Sequence, residues 1–136
     1  MKFNETPAEA RKLLVDALNS GEYQQGKRCL NKDGKYCCLG VACDVFVKLY
    51  PNVVKVEENK NGNIGYDGET HTLPNMVREW LNFNSYVGEL KQPEVKWVGT
   101  NHNCSTLAMV NDYSHYNFKQ IAQLIEDDKV ALKEKE

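Results

Sequence analysis

The stretch Lys27-Arg28-Cys29-Leu30-Asn31-Lys32-Asp33-Gly34-Lys35-Tyr36-Cys37 decides the fold class of this chain. Two short runs flank the dipeptide Asp33-Gly34, and Asp-Gly is a turn that matches the right-handed twist of a β-hairpin. The residues that follow, Cys38 to Tyr50, have the spacing of a helix that Pro51 ends. The inward face of this helix consists of Leu39, Ala42, Cys43, Phe46 and Leu49. A hairpin followed at once by a helix predicts an α+β fold.

The N-terminal segment predicts another helix, over about residues 7–20. Thr6-Pro7-Ala8-Glu9 is a capping box with proline at the first helical position, and Gly21 tolerates the left-handed conformation in which helices often end. One apolar stripe of helical period lies between these signals and consists of Ala10, Leu13, Leu14, Ala17 and Leu18.

Shorter elements fill the rest of the chain. Val53 to Glu58 and Ile64 to Tyr66 flank an Asn61-Gly62 turn and predict a second hairpin. The other predicted elements are a short helix opened by Leu73-Pro74, a strand over Val95 to Val98, one or two helical turns over Cys104 to Val110, and a final helix capped by Asn117. We therefore expect a single α+β domain over residues 1–136, with an N-terminal helix, two short β-hairpins forming a small antiparallel sheet, and three or four packing helices.

Composition excludes several classes of function. The 136 residues are 41% hydrophobic and 26% charged, which suits one domain with its own core. The formal net charge is -2 and the basic residues are scattered, whereas polynucleotide binding requires a basic excess. No apolar run approaches the ~18 residues of a membrane span, so we expect no membrane contact. The five cysteines include the adjacent pair Cys37 and Cys38 and show no disulfide framework, which predicts reduced thiols in a cytoplasm.

The paired cysteines permit an enzymatic interpretation. A cysteine at the start of a helix is the position in which papain-like hydrolases hold their nucleophile, with a later histidine as base and an asparagine or aspartate to orient it. The chain offers Cys37 or Cys38, then His71 or His102, then Asn111 or Asp112, and Gln25 as an oxyanion donor. The alternative is that both thiols are small core residues under the hairpin, where free cysteines usually lie. We favour this second interpretation, and with it no catalytic residues.

The spacing of the possible ligands argues against a zinc site. Zinc sites carry two pairs of ligands, each pair two to four residues apart. His102 and Cys104 form one such pair without a second, and Cys38 and Cys43 are five apart on a helix. We expect no metal site and no cofactor.

A small-ligand site is the remaining interpretation. Aromatic and polar side chains concentrate in the predicted loops, where aromatic faces can stack on bases while arginine and lysine meet phosphates. Such a site suits a mono- or dinucleotide without the charge excess that a polymer needs. The candidate ligand-binding residues are Tyr23, Gln25, Lys27, Arg28, Tyr66, His71, Trp97, Asn101, His102 and Asp112.

Four blocks of the sequence resemble a widespread family of small uncharacterised bacteriophage and prophage proteins. The blocks are Ser20-Gly21-Glu22-Tyr23-Gln24-Gln25-Gly26, Tyr36-Cys37-Cys38-Leu39-Gly40-Val41-Ala42-Cys43-Asp44, Leu73-Pro74 leading to Glu79-Trp80-Leu81, and Val110-Asn111-Asp112 with Phe118, Ile121-Ala122 and Ile125-Glu126. They span nearly the whole chain except residues 52–72. The resemblance implies an accessory protein that acts in the host cytoplasm, in host takeover or against host defence. Some such factors capture the cyclic or ADP-ribose-type nucleotides that serve bacteria as alarms. The resemblance assigns no catalytic residues.

We therefore expect a phage-type accessory protein that binds a small nucleotide-like host signal in a pocket without turnover. Two alternatives stay open: a cysteine-dependent hydrolase with Cys37 or Cys38 as its nucleophile, and an inhibitor that binds a host protein. The sequence also leaves homo-oligomerisation open.

Overall fold

Helix α1 spans Pro7–Asn19 in the structure, a computed structural model that describes residues 1–136. The predicted capping box is confirmed: Thr6 Oγ1 accepts from the amide of Glu9 at 3.1 Å, and Glu9 Oε1 accepts from the amide of Thr6 at 2.8 Å. Two backbone donors that the first helical turn leaves without partners are thereby satisfied. The apolar stripe of α1 faces the core with Ala10, Leu14, Val15 and Leu18 buried.

The first hairpin is confirmed, and a third strand joins it. Strands β2 (Asn31–Lys32) and β3 (Lys35–Tyr36) pair antiparallel, and β1 (Gln24–Gln25) pairs with β3 in parallel on its other edge. Asp33 and Gly34 both have positive φ, 53° and 80°, as the turn requires. The predicted first run, residues 27–30, is a loop instead of a strand. Arg28 has φ 72°, a left-handed conformation that turns the chain out of an extended ladder.

Helix α2 (Cys38–Leu49) follows the hairpin directly and lies against it. A Cβ atom on Gly40 would lie 1.6 Å from the carbonyl oxygen of Leu30, so the first turn of α2 packs on backbone and only glycine fits there. Beyond α2, strands β4 (Val56–Glu58) and β5 (Ile64–Tyr66) form the second predicted hairpin. Its ladder is a sheet of its own, which a single antiparallel bridge between Lys32 and Asn63 connects to the first.

The C-terminal half adds three helices and one more hairpin. They are α3 (Asn75–Leu81), β6 (Val95–Lys96), β7 (Asn103–Cys104), α4 (Leu107–Tyr113) and α5 (Phe118–Glu126). Helix α4 begins later than predicted, because Thr106 caps it by accepting from the amide of Met109. The predicted strand ends at Lys96, and the residues from Trp97 onward form a loop. Asn117 caps α5 as predicted, in a capping box with Gln120.

All five helices contribute to one cluster of 30 buried apolar residues, with Trp80, Phe46 and Phe83 as its largest side chains. Helix α1 packs on α2, α3 and α5, while α4 joins α2 to α5. The α+β prediction is confirmed. None of the helices combines the length with the apolar composition that crossing a membrane demands.

Candidate functional site

The adjacent thiols lie inside the core, and the fold places no base beside them. Cys37 and Cys38 are only 3% and 1% exposed. Burial raises the pKa of the Cys37 thiol to about 12 and that of Cys38 well above its ordinary value, so both stay protonated near neutral pH. The Sγ of Cys38 donates to the carbonyl of Leu107 at 3.7 Å. The burial and protonation of these thiols support the packing interpretation.

The histidines of the hydrolase hypothesis lie elsewhere. His71 is exposed, with Nδ1 2.7 Å from the hydroxyl of Thr70. His102 is exposed on the loop between β6 and β7, with its ring 6.1 Å from that of Trp97. Neither imidazole hydrogen-bonds a cysteine, and no cluster of three or more metal-ligating side chains forms. The Cys/His/Asn set is therefore not assembled.

The side chain of Asn111 hydrogen-bonds the backbone of the cysteine pair and has a structural role there. Its side chain is 1% exposed, and its Oδ1 accepts from the backbone amide of Cys38 at 3.1 Å. That amide belongs to the first turn of α2, where backbone donors lack helical partners, and the N-cap residue Cys37 makes no side-chain cap bond. Helix α2 is thus capped from α4, by a residue 73 positions later in the chain.

The same asparagine also holds the loop before the first hairpin. Its Nδ2 donates to the carbonyl of Gly26 at 2.9 Å and to Asp112 Oδ1 at 3.0 Å, while Gln25 Nε2 donates to Asn111 Oδ1 at 3.1 Å. Asp112 Oδ1 in turn accepts from the amide of Arg28 at 2.8 Å. We call the side chains of Gln25, Asn111 and Asp112 the amide cluster. It fixes the backbone of residues 26–28 against the end of α4.

Two of the candidate ligand-binding aromatics are occupied within the protein. The hydroxyl of Tyr23 donates to Asp44, and Lys48 pairs with the same carboxylate at 2.9 Å. Burial and the bond to Asp44 raise the pKa of Tyr23 to about 12. Tyr66 is buried, and its hydroxyl accepts from Asn31 at 3.1 Å. Both rings are tied into the fold rather than presented to a ligand.

Other candidates converge on one cleft. Trp97 stacks on Tyr113 with ring centroids 4.7 Å apart and planes at 24°, and the amide of Val98 donates to the carbonyl of Tyr113 at 2.9 Å. The loop between β6 and β7 is thereby attached to the end of α4. A cleft of 310 Å³ opens beside this stack, and we call it the aromatic cleft. Its lining residues are Lys27, Trp97, Val98, Asp112, Tyr113, Ser114 and His115.

The aromatic cleft contains polar groups with unused bonding capacity. The indole Nε1 of Trp97 is buried and has no hydrogen-bond partner. Asp112 uses Oδ1 for Arg28 and Asn111, and its Oδ2 makes no hydrogen bond within the protein. The ammonium of Lys27 forms no ion pair. Orphaned donors and acceptors beside a cleft are uncommon in folded proteins and indicate places where a ligand or water completes the bonding.

A second cleft, of 200 Å³, adjoins the first at Lys27. We call it the lysine cleft, and its lining residues are Gly26, Lys27, Cys29, Lys32, Asp33 and Lys35. A Cβ atom on Gly26 would lie 2.8 Å from the Cβ of Lys35, so glycine is what keeps this floor open. Lys32 and Lys35 are absent from the predicted site. The signal was available: residues on either side of a two-residue hairpin turn lie opposite each other, which brings the two lysines together.

Arg28, His71, Asn101 and His102 line neither of these clefts. Another cleft, of 680 Å³, lies between α1, the end of α5 and the C-terminal segment. Two of its cations are paired within it, Arg11 with Glu136 at 2.6 Å and Lys91 with Asp128 at 2.8 Å. It has no aromatic side chain in its lining, so it lacks the stacking surface that the aromatic cleft provides.

Comparison with known proteins identifies a family without an assigned activity. Neither the search of curated proteins nor that of solved structures finds a significant match. The profile of one family, described as a domain of unknown function (DUF8296), matches residues 7–129 and so covers every helix from α1 to α5. The chain belongs to the DUF8296 family.

Proposed function

We propose that this chain binds a small, anionic, ring-bearing ligand of the nucleotide class in the aromatic cleft and releases it unchanged. The observation that carries the proposal is the stacked pair Trp97 and Tyr113 beside an unpaired lysine, Lys27, in one cleft. Aromatic faces bind the rings of bases irrespective of their sequence identity, and a cation beside them meets a phosphate.

The size and charge of the cleft favour a small ligand. A volume of 310 Å³ is at the lower end of ordinary ligand sites. The chain has a net charge of -2, so long-range attraction to a polynucleotide is absent. The free Oδ2 of Asp112 can accept from an amino or hydroxyl group of a ligand, which gives the site a means to orient a base or a ribose.

The resemblance to phage and prophage proteins supplies the biological part of the proposal. A protein that sequesters a nucleotide signal without converting it lowers the free concentration of that signal in the host cytoplasm. The absence of a base beside either core thiol supports sequestration over hydrolysis, because nucleophilic catalysis by cysteine requires an activated thiolate.

Tryptophan fluorescence provides the test. Trp80 is buried in the core, whereas Trp97 lines the cleft, so a ligand that stacks there should quench the emission of Trp97 alone. Titration with a panel of cyclic and ADP-ribose nucleotides should give saturable quenching, and Trp97→Phe should abolish it. Chromatography of the ligand after incubation should recover it intact.

Matched tyrosine variants separate the cleft from the rest of the surface. Tyr113→Ala should weaken binding by about 1–3 kcal/mol, roughly 5- to 150-fold, the usual contribution of one stacking side chain. Tyr86→Ala removes another exposed tyrosine that lies outside the cleft and should change the affinity less than about twofold. Flat titrations across the whole panel, by fluorescence and by calorimetry, would end the proposal.

Inhibition of a host protein is a second candidate function, favoured by a different observation. Leu49, Val53 and Val56 are exposed aliphatic side chains within eight positions of the chain, at the end of α2 and on β4. Exposed apolar side chains close together can form a protein-binding surface. If this candidate holds, a host protein retained by the immobilised chain should be lost with Val53→Asp and Val56→Asp, and kept with Tyr113→Ala.

A further inference from the structure

We infer that the lysine cleft receives the phosphate chain of the ligand, so that the chain selects nucleotides with at least two linked phosphates over nucleosides and monophosphates. The inference rests on the proposed function, because it takes the ring to lie in the aromatic cleft. Lys27 lines both clefts, so its ammonium group is within reach of a ligand in either one.

The hairpin brings two like charges together without a compensating partner. Lys32 on β2 and Lys35 on β3 are directly opposite each other in the antiparallel register. Like charges at opposed positions destabilise a β-ladder, so this arrangement weakens the fold of the free protein. An anion between the two ammonium groups converts that repulsion into attraction.

None of the basic side chains in this region is neutralised within the protein. The ion pairs of the structure engage other residues, while Lys27, Arg28, Lys32 and Lys35 form none. Asp33 is the one acidic residue that lines the lysine cleft. Four unpaired cations within nine positions stand out in a chain whose net charge is negative. Linked phosphates, which spread several negative charges over a short distance, suit three lysines better than a single phosphate or a carboxylate does.

The backbone of Gly26, on the floor of the lysine cleft, leaves contact with an anion to side chains. Gly26 approaches Lys35 so closely that any side chain would collide, and its backbone amide is committed to the carbonyl of Tyr36 at 2.7 Å. The carbonyl of Gly26 accepts from Asn111 Nδ2 at 2.9 Å and is thereby engaged within the protein. The lysine ammonium groups are therefore the donors that remain for a ligand.

A series of ligands that differ only in phosphate number tests the inference. Adenosine, AMP, ADP and ATP are titrated by Trp97 fluorescence into the full chain, and inorganic pyrophosphate is added as a competitor of ADP. We expect affinity to rise from AMP to ADP, and pyrophosphate to compete. Lys32→Ala and Lys35→Ala should each weaken ADP binding about two- to fivefold while leaving adenosine unchanged. Lys35→Arg should retain ADP affinity, and the exposed Lys2→Ala serves as the charge-matched control.

Two further readouts separate a binding role from a structural one. Because Lys32 and Lys35 repel each other, Lys35→Ala should leave the thermal midpoint of the free protein unchanged or raise it, although it weakens ADP. Cys29 is half-buried and lines the lysine cleft, so pyrophosphate should slow its alkylation in the wild-type chain but not in the Lys32→Ala, Lys35→Ala double variant.

The outcomes distinguish the two proposals. If neither this series nor the panel of cyclic and ADP-ribose nucleotides binds, by fluorescence or by calorimetry, the proposed function fails. If adenosine, AMP and ADP bind equally, or the lysine variants bind ADP as the wild type does, the inference is overturned and the proposed function stands. Tighter binding of a single-stranded oligonucleotide than of ADP would also overturn it, because an extended polymer and not a short phosphate chain would then be the occupant.

Discussion

Replacing Asn111 with leucine isolates the contribution of its hydrogen bonds. Leucine has nearly the shape of asparagine, so the change removes bonding capacity and little volume. The amide of Cys38, which is buried, loses its acceptor, and the half-buried carbonyl of Gly26 loses its donor. A fully buried orphan costs about 1–3 kcal/mol and an ordinary lost hydrogen bond about 0.5–1.5 kcal/mol, so we expect a loss of roughly 2–4 kcal/mol.

Urea denaturation followed by circular dichroism measures this loss. A domain of this size unfolds with a slope near ~2 kcal/mol/M, so the midpoint should fall by about 1–2 M. Asn103→Leu is the matched control: Asn103 is exposed on β7, its side chain makes no hydrogen bond, and its replacement should stay within about 0.5 kcal/mol. A midpoint for Asn111→Leu within the error of the wild type would refute the assignment of Asn111 as a cap of α2.

Three further results follow from the same contacts. Gly40→Ala should prevent native folding, judged by circular dichroism and soluble yield, because the new Cβ would lie 1.6 Å from the carbonyl oxygen of Leu30. Gly34→Ala is the control. Its Cβ would meet nothing within 4 Å, but its φ is 80°, so it should fold with a loss of about 1 kcal/mol of stability. A thiol reagent at neutral pH should label Cys29 in the native chain and the other four cysteines only in urea, because those four are buried. Labelling of Cys37 or Cys38 in the native state would contradict their assignment as core residues. Stability should fall as the pH drops below 4.5, the ordinary pKa of a glutamate carboxyl. Burial opposes the charge of Glu5, but hydrogen bonds from Trp80 and Tyr50 lower its pKa, and hydrogen bonds from Arg11 lower the pKa of Glu136. Each carboxylate therefore contributes stability above its unfolded-state pKa, and that stability is lost as the pH falls through its folded-state pKa. Glu136→Gln should make the acid limb of a thermal-midpoint profile shallower, and an unchanged limb would contradict the assignment.

The sequence predicts those parts of the fold that neighbouring residues determine. The capping boxes at Thr6 and Asn117 and the Asp33-Gly34 turn lie where predicted, because each is completed within four residues. The need for glycine at position 40 comes from the carbonyl of Leu30, a contact that the helical pattern of residues 38–50 does not reveal. The first residue of a helix was predicted less accurately: α4 begins a few residues later than predicted.

The candidate site was predictable only in part, because its assembly depends on contacts between distant segments. Lys27, Trp97 and Asp112 were expected in one site, and they do line one cleft. The left-handed conformation of Arg28 has no sequence signal, since it is imposed by a hydrogen bond to a carboxylate 84 positions away. Tyr23 and Tyr66 could not be separated from Trp97 by residue type, because only the fold decides which aromatic ring is bonded inward.

Contacts between two distant sequence blocks explain how a small domain can hold an open site without long strands. The block Tyr36–Asp44 supplies the start of α2, and the block that begins at Val110 supplies Asn111, which caps that helix. Asn111 and Asp112 also fasten residues 26–28 to α4. The amide cluster and the exposed lysines therefore have different roles. The cluster stabilises the loop at the boundary of the two clefts, and the lysines weaken the hairpin on which they lie. An anion bound between the opposed ammonium groups would remove that repulsion, so binding of the proposed ligand should stabilise the hairpin as well as fill the cleft.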